Sequence, residues 1–432
     1  MMQDTSCECS SGGTDLFTTP PTDTSITKRI TYEVYPPGHL DDGPIQLYAP
    51  APDEEYTALI LHCLELGVRI KKAAGGNLEN DDDDKIGLTN FPMHALFSQV
   101  DVHIGDTLVT TSSNTYPYNA AFEKLLTYSE DVFDTQLTTE LCYLDKPAQM
   151  EALVANDGFK ARAGYTNRSK LVILRGSLHV PIMRQERHLL NKCSIKVTLT
   201  PNNPKFYMMC AAADVDKYKV KIESAKMELT RLKMNPDVLN NHSMELQKKN
   251  AIYPIRRSVI KTFSIAQGTM QETKENLFTG NMPRRLVVAL VDSAAFAGNV
   301  TKNPFNFKHF SLNYLCAYVD GERYPTRPFQ PDFANNNSVE AFQSLFSGTG
   351  MKDDNQSLPF TRDGYPNGYT MYVINLSPGE PDSMAYDLTQ RGNVRLEMKF
   401  RTALANTVTA IVYAEFQDQL EIDRDRNVIA EF

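Results

Sequence analysis

The sequence predicts an all-β protein built as two tandem copies of one domain of about 200 residues. Three observations carry this. Apolar and polar residues alternate at period two in many short runs. Helical periodicity is confined to a few stretches. Pairs of short motifs recur in the same order about half a chain apart.

The alternation begins with "RITYEVYP" (29–36), where Ile30, Tyr32 and Val34 share a face. "VDVHIGDTLV" (100–109) places Val100, Val102 and Ile104 on one face and then turns at Gly105-Asp106. "CSIKVTLT" (193–200), "KYKVKIESAKMELTRLKM" (217–234) and "NVRLEMKF" (393–400) repeat the pattern. Period-two runs bounded by Gly, Pro, Asn and Asp are half-buried strands. Many of them with short turns imply sandwiches or barrels, not a parallel α/β sheet.

Helices are expected in three places. "YNAAFEKLL" (118–126) and "SVEAFQSLF" (338–346) space apolar residues at i, i+3 and i+4, the second with Ser338 as N-cap. "NPDVLNNHSMELQKKN" (235–250) offers Asn235 as cap, Pro236 at the first helical position and lysines at its end. It falls between the two copies and reads as their connector.

The repeat rests on five pairs. Asn90-Phe91 and Asn306-Phe307 lie 216 residues apart, and the turns Gly105-Asp106 and Asp320-Gly321 lie 215 apart. Ala121-Phe122 and Ala341-Phe342 lie 220 apart, "GYTN" (164–167) and "GYPN" (364–367) 200, and "IKVTL" (195–199) and "VRLEM" (394–398) 199. Such self-similarity is stronger than any single motif. It predicts that Phe122 and Phe342 are equivalent buried anchors, each pinning a helix to its own sandwich. It also predicts that about 20 extra residues between Phe122 and Gly164 form an excursion peculiar to the first copy. The expected layout is an arm at 1–27, a first domain at 28–234, a connecting helix at 235–250 and a second domain at 251–432.

Composition narrows the function. The 432 residues hold 44 basic and 53 acidic side chains, a net charge of −9. No long basic cluster is present to neutralise phosphates, so direct nucleic-acid binding is not expected. The start, "MMQDTSCECSSGG", lacks the basic-then-apolar order of a secretory signal. Cys7 and Cys9 sit in a Ser/Thr/Gly-rich tail, and the other five cysteines are single thiols in apolar stretches. A reducing compartment fits that usage.

No chemistry is spelled out. The eight histidines are scattered, and His62, His94, His103 and His309 fall in strand-like stretches. Zinc-protease, phosphate-loop and nucleophile-elbow motifs are absent. The acidic run "ENDDDDK" (79–85) reads as a solvated loop, and "EIDRDRN" (421–427) as an exposed strand end. No catalytic, cofactor-binding or metal-ligating residue is assigned, no cofactor is expected, and the chain reads as a non-enzyme.

The layout resembles the double jelly-roll (hexon-like) major capsid proteins, above all those of Polinton (Maverick) elements and adintoviruses. The C-terminal "TVTAIVYAEFQDQLEIDRDRNVI" (407–429) carries it, with Tyr413-Ala414 of a "vYA" strand, then a polar loop, then a short strand with Leu420 and Ile422. The junction "AKMELTRLKMNPDVLNNHSMELQKK" (225–249) resembles the family's passage from the first roll into a helix. The resemblance implies two eight-stranded jelly-roll sandwiches per chain with a few short helices, and homotrimers forming pseudo-hexagonal capsomers of an icosahedral shell. The implied partners are the chain itself, neighbouring capsomers, and a penton or minor capsid protein. The implied location is the virion, after synthesis in the host cytoplasm without a signal peptide and assembly there or in the nucleus. Two rival classes stand beside it. A cellular, lectin-like sandwich binding or scaffold protein would be a monomer or dimer with a ligand pocket. A glycoprotein amidase-like enzyme on a tandem jelly-roll frame would usually be secreted and disulfide-bonded.

Overall fold

A computed structural model describes residues 22–38, 40, 43–83, 85–353, 355–379, 386–388 and 390–430. All five stretches with period-two alternation form strands, and so do others that do not alternate, such as Arg285–Asp292, which is apolar and buried on both faces. In the first half these are β1 (Ile26–Val34), β2 (Ile45–Ala49), β3 (Glu55–Lys72), β4 (Phe97–Ile104), β5 (Thr107–Leu108), β6 (Val172–Gly176), β7 (Ile195–Pro201) and β8 (Tyr218–Met234). In the second half they are β9 (Ala251–Ile265), β10 (Gln271–Asn281), β11 (Arg285–Asp292), β12 (Leu312–Val319), β13 (Glu322–Phe329), β14 (Met371–Asn375), β15 (Arg391–Phe400) and β16 (Val408–Ile422).

Strand order shows what is repeated. The first half forms the sheets β1-β8-β3-β6 and β2-β7-β4-β5; the second forms β9-β16-β11-β14 and β10-β15-β12-β13. Adding eight to each label in the first pair gives the second pair. Eight antiparallel strands in two four-stranded sheets with this winding make a jelly roll. The chain is two of them in tandem. Registers are long: β9 pairs with β16 from Ala251 opposite Ile422 to Ile265 opposite Val408 without a break. In β15 the inward residues Val394, Leu396, Met398 and Phe400 are buried and the residues between them half-buried, as the pleat requires.

Four longer helices stand outside the sheets: α1 (Tyr116–Thr127), α2 (Asp157–Thr166), α3 (Pro236–Leu246) and α4 (Val339–Thr349). Asn235 caps α3 by accepting from the Asp237 N–H. Ser338 occupies the N-cap position of α4, but its side chain makes no capping bond.

Several expectations need correction. The arm assigned to 1–27 runs too far, because Ile26 already pairs with Met234 in β1; residues 1–21, including Cys7 and Cys9, lie outside the described residues, as does His39. The connecting helix is shorter than 235–250. His94 lies in a one-turn helix, Pro92–Ala95, and not in a strand. The acidic run carries a short helical turn, Asn80–Asp82, boxed by Glu79. Tyr413, Ala414, Leu420 and Ile422 all belong to β16; the polar turn is 423–427 and the short returning strand is Val428–Ala430.

Two of the five motif pairs do not share a conformation. Gly164 lies inside α2, whereas Gly364 lies in a turn that precedes Asn367. Tyr165 is exposed while Tyr365 is fully buried. Asn90-Phe91 and Asn306-Phe307 do occupy the same connection, between the third and fourth strands of their rolls. Yet Phe91 takes a left-handed φ of 51° at the head of a helical turn, while Phe307 starts a short strand. The hairpin turns and the strands β7 and β15 correspond fully.

Candidate functional site

The feature with most organised chemistry is the seam where the two rolls meet. Its first component is α1. Phe122 is fully buried, but its partners are in the other roll. Its ring stacks on Phe307 (centroids 5.3 Å, 23°) and meets the edge of Tyr413 at 6.0 Å. Tyr118, one turn earlier, stacks on Phe296 at 5.5 Å and touches Phe305 at 5.8 Å. Phe342 differs: it is half-buried and packs on Phe346 and Tyr365 of its own roll. In α4 the buried positions are Ala341, Ser344, Leu345 and Gly348. The expectation of equivalent anchors therefore fails. An i, i+4 apolar pattern says that a helix has a buried face, not which surface covers it.

The second component is the excursion. Leu108 and Val172 are separated by 63 residues, whereas Phe329 and Met371, at the same place in the second roll, are separated by 41. The extra length folds as short helices (Glu130–Asp134, Gln136–Glu140) and α2. Asn156 caps α2 through the Phe159 N–H, and Phe159 with Ala163, four residues on, packs on Met209. A Cβ at Gly87 would lie 2.7 Å from the Phe159 ring, so this approach requires glycine.

The excursion clasps the second roll through a buried polar knot. Asp145 and Arg162 pair at 2.6 Å, with side chains 1% and 0% exposed. The guanidinium also donates to the carbonyls of Leu88 (2.9 Å) and Tyr143 (2.5 Å). Asp145 accepts further bonds from Asn156 (2.8 Å) and from Asn303 of the second roll (2.8 Å). The Tyr369 hydroxyl donates to the Asp145 carbonyl at 2.6 Å. Nearby, Lys308 pairs with Glu151 at 3.0 Å and the Ala148 N–H donates to the Asn367 carbonyl at 2.8 Å. A buried ion pair persists only when the remaining donors and acceptors are satisfied, and here they are.

The third component is an ionic cluster under α1. The Lys124 ammonium donates to Glu140 at 2.6 Å, and His94 Nε2 donates to the same carboxylate at 3.0 Å. The Tyr116 hydroxyl lies 2.9 Å from His94 Nδ1, which accepts from it in this tautomer. His179 Nδ1 meets Glu123 at 2.6 Å, and Arg184 donates to Glu123 at 2.7 Å. Burial, aided by the Lys124 charge, holds both imidazoles below the usual histidine range. Burial also pushes the Glu123 carboxyl up, with Arg184 opposing it. Burial alone would raise Glu140 too, but Lys124 and His94 outweigh it and leave that carboxyl well below the usual range. His94, Lys124, His179 and Glu140 are all at least 95% buried. These four brace α1 from beneath, while Glu123 and Arg184 reach an open cavity of about 640 Å³ beside the seam. Nothing in the sequence marked these residues; the one available signal was a lysine set among the apolar positions of "AAFEKLL".

Outside the seam, Cys63, Cys142, Cys193, Cys210 and Cys316 are free thiols. Among the described residues no group of three His, Cys, Asp or Glu side chains could hold a metal ion. No helix among them is long and apolar enough to cross a membrane.

Comparison with known proteins places this geometry. No protein-family model matches the chain. An uncharacterized protein of Caenorhabditis elegans is 28% identical over 342 residues, covering 78% of this chain and 80% of the relative. Among solved structures, a chain of the Sputnik virophage superposes with a TM-score of 0.65 at 13% identity, over 99% of this chain and 93% of its own. The PBCV-1 virus capsid gives 0.55 at 12% identity (96% and 99%), and the mavirus major capsid protein 0.51 at 13% (99% and 97%). Identities this low speak to architecture. With the strand order of both sheets in both halves, they show that this chain has the double jelly-roll fold found in viral major capsid proteins.

Proposed function

We propose that this chain is a shell subunit, a major capsid protein whose homotrimers present six jelly rolls as a pseudo-hexagonal capsomer. The observation that carries the reading is the seam joined to the repeated strand order. Two rolls with one winding are locked into a rigid pair by Phe122, Tyr118 and the Asp145–Arg162 knot. A rigid pair of near-identical domains turns threefold symmetry into near-sixfold packing, and closed cyclic symmetry is the usual form of a homo-oligomer. The virophage and virus shells with which the chain aligns along nearly its full length support the same role. The Caenorhabditis elegans relative supports a gene resident in an animal genome, as an integrated element of the Polinton type would be. Further partners are then neighbouring capsomers and a penton or minor capsid protein, and the location is the virion.

Light scattering on the purified protein across a dilution series tests this. The expected species has three times the 48.6 kDa chain mass and persists on dilution, since an obligate interface of more than about 2,000 Å² leaves no stable monomer. A well-folded 48.6 kDa monomer at all concentrations would overturn it in favour of a sandwich binding protein.

A further inference from the structure

The two rolls match strand for strand, but their outer faces meet different surroundings. In the second roll the outer face of β9-β16-β11-β14 is closed. Phe416 points inward, to Phe278 of the opposite sheet, so Tyr413, three residues earlier, points outward. Tyr413 pairs with Val287, and Val287 with Val373, and all three are buried. The first roll covers this row at Tyr413 through Phe122 of α1. The second roll's own α4 covers it at Val373, whose N–H donates to Ser344 Oγ at 3.2 Å and whose side chain would lie 2.2 Å from a Cβ at Gly348.

With the inward residues aligned, Leu66 on Leu286 and Val68 on Val288, the matching row of the first roll is Ser224, Gly67 and Ile173. This row is open. Ser224 is exposed, Ile173 is 47% exposed and its neighbour Leu171 is 45% exposed. A Cβ at Gly67 would lie 3.4 Å from Leu171 and 3.5 Å from Ile173, so both side chains lean over the glycine and form one apolar patch. The charges beside it are paired among themselves: Glu223 with Arg69 and Lys71, and Glu65 and Glu228 with Arg175 and Lys226. An apolar patch inside a polar rim is the anatomy of a protein contact.

The seam says what covers it. Inside the chain, the first roll lays a helix on the outer face of the second. Copies joined head to tail repeat that contact, with the second roll of one copy on the outer face of the first roll of the next, and threefold symmetry closes the ring. The helix α4 stands between β13 and β14 as α1 stands between β5 and β6, and its first residue, Val339, is 41% exposed.

We propose that the Leu171 and Ile173 patch over Gly67 is the surface on which the second roll of a neighbouring copy docks. The inference rests on the shell reading and deepens it by naming the face that joins one copy to the next.

The test uses the full chain with a photoreactive p-benzoyl-phenylalanine in place of Leu171. After irradiation the adduct should run at twice the chain mass, and mass mapping should place it in the second roll of the other copy. Ile173→Asp should weaken the trimer at least about tenfold on dilution, as loss of an anchoring side chain does, with the far-UV circular dichroism unchanged. Should that variant not fold, Leu171→Asp should weaken the trimer in the same way. An adduct in the first roll of another copy overturns the proposal in favour of a face that pairs with itself. A trimer that gives no adduct between copies, or that neither variant weakens, overturns the proposal and leaves the shell reading standing. A folded monomer at all concentrations removes both.

Discussion

Phe122→Ala should cost much more than Phe342→Ala, although the two residues sit in matching sequence motifs. Phe122 is fully buried, and its removal opens a cavity against Phe307 and Tyr413. Deleting a buried phenylalanine costs about 3–5 kcal/mol, of which about 1 kcal/mol is the stacked ring pair itself. Phe342 is half-buried, so about half the transfer energy of a phenylalanine is at stake, about 1–1.5 kcal/mol. Urea unfolding followed by circular dichroism, at fixed protein concentration, measures both. The cross-roll contact is isolated by a double-mutant cycle with Phe307→Ala, where contacting residues show a coupling of about 0.5–3 kcal/mol. Equal costs for Phe122→Ala and Phe342→Ala would refute the unequal anchoring. Strict additivity of Phe122→Ala and Phe307→Ala would refute the seam.

Asp145→Ala should destabilise by about 3–5 kcal/mol, because Arg162 would remain buried without its carboxylate, and Asn303 would lose its partner across the seam; the urea midpoint reports it, and an unchanged midpoint would contradict the clasp. Two glycines of α2 should respond oppositely. Gly158→Ala drives a Cβ to 2.1 Å from the Leu144 carbonyl oxygen, whereas nothing lies within 4 Å of a Cβ at Gly164, so Gly164→Ala should stabilise by about 0.5–1 kcal/mol, both read as shifts in melting temperature. His62 donates through Nδ1 to the Leu59 carbonyl (2.7 Å) and accepts from the Leu178 N–H at Nε2 (2.7 Å), and burial lowers its pKa from 6.5 to about 4. The unfolded chain therefore takes up this proton first on acidification. The contribution is fully present above about pH 6.5 and is lost as pH falls towards 4, reaching about 3 kcal/mol. The difference in stability between wild type and His62→Gln should vary with pH over that window, and parallel curves would contradict it.

The sequence by itself determined the alternating strands and the doubling, whereas the order of strands within the sheets was implied only by the family resemblance. Period-two alternation in "NVRLEMKF" or "CSIKVTLT", and turn residues such as Gly105-Asp106 and Asp320-Gly321, act over a few neighbours, so they can be read without knowing what lies across the core. The helices at 116–127, 236–246 and 339–349 were legible for the same reason. What lay beyond the sequence was partnership. Phe122 meets Tyr413, Asp145 meets Tyr369, and Lys124 sinks onto Glu140, and no periodicity encodes a contact between separate elements of the chain. The "GYTN" and "GYPN" match misled because four residues fix no conformation: Asn156 and the packing of Phe159 made one a helix, while the other stayed a turn. The tertiary structure alone decided that the Phe122 and Tyr118 face of the first roll's helix is closed over by the second roll, since burial belongs to whichever surface closes over a side chain and is not a property of the side chain's own neighbours in sequence.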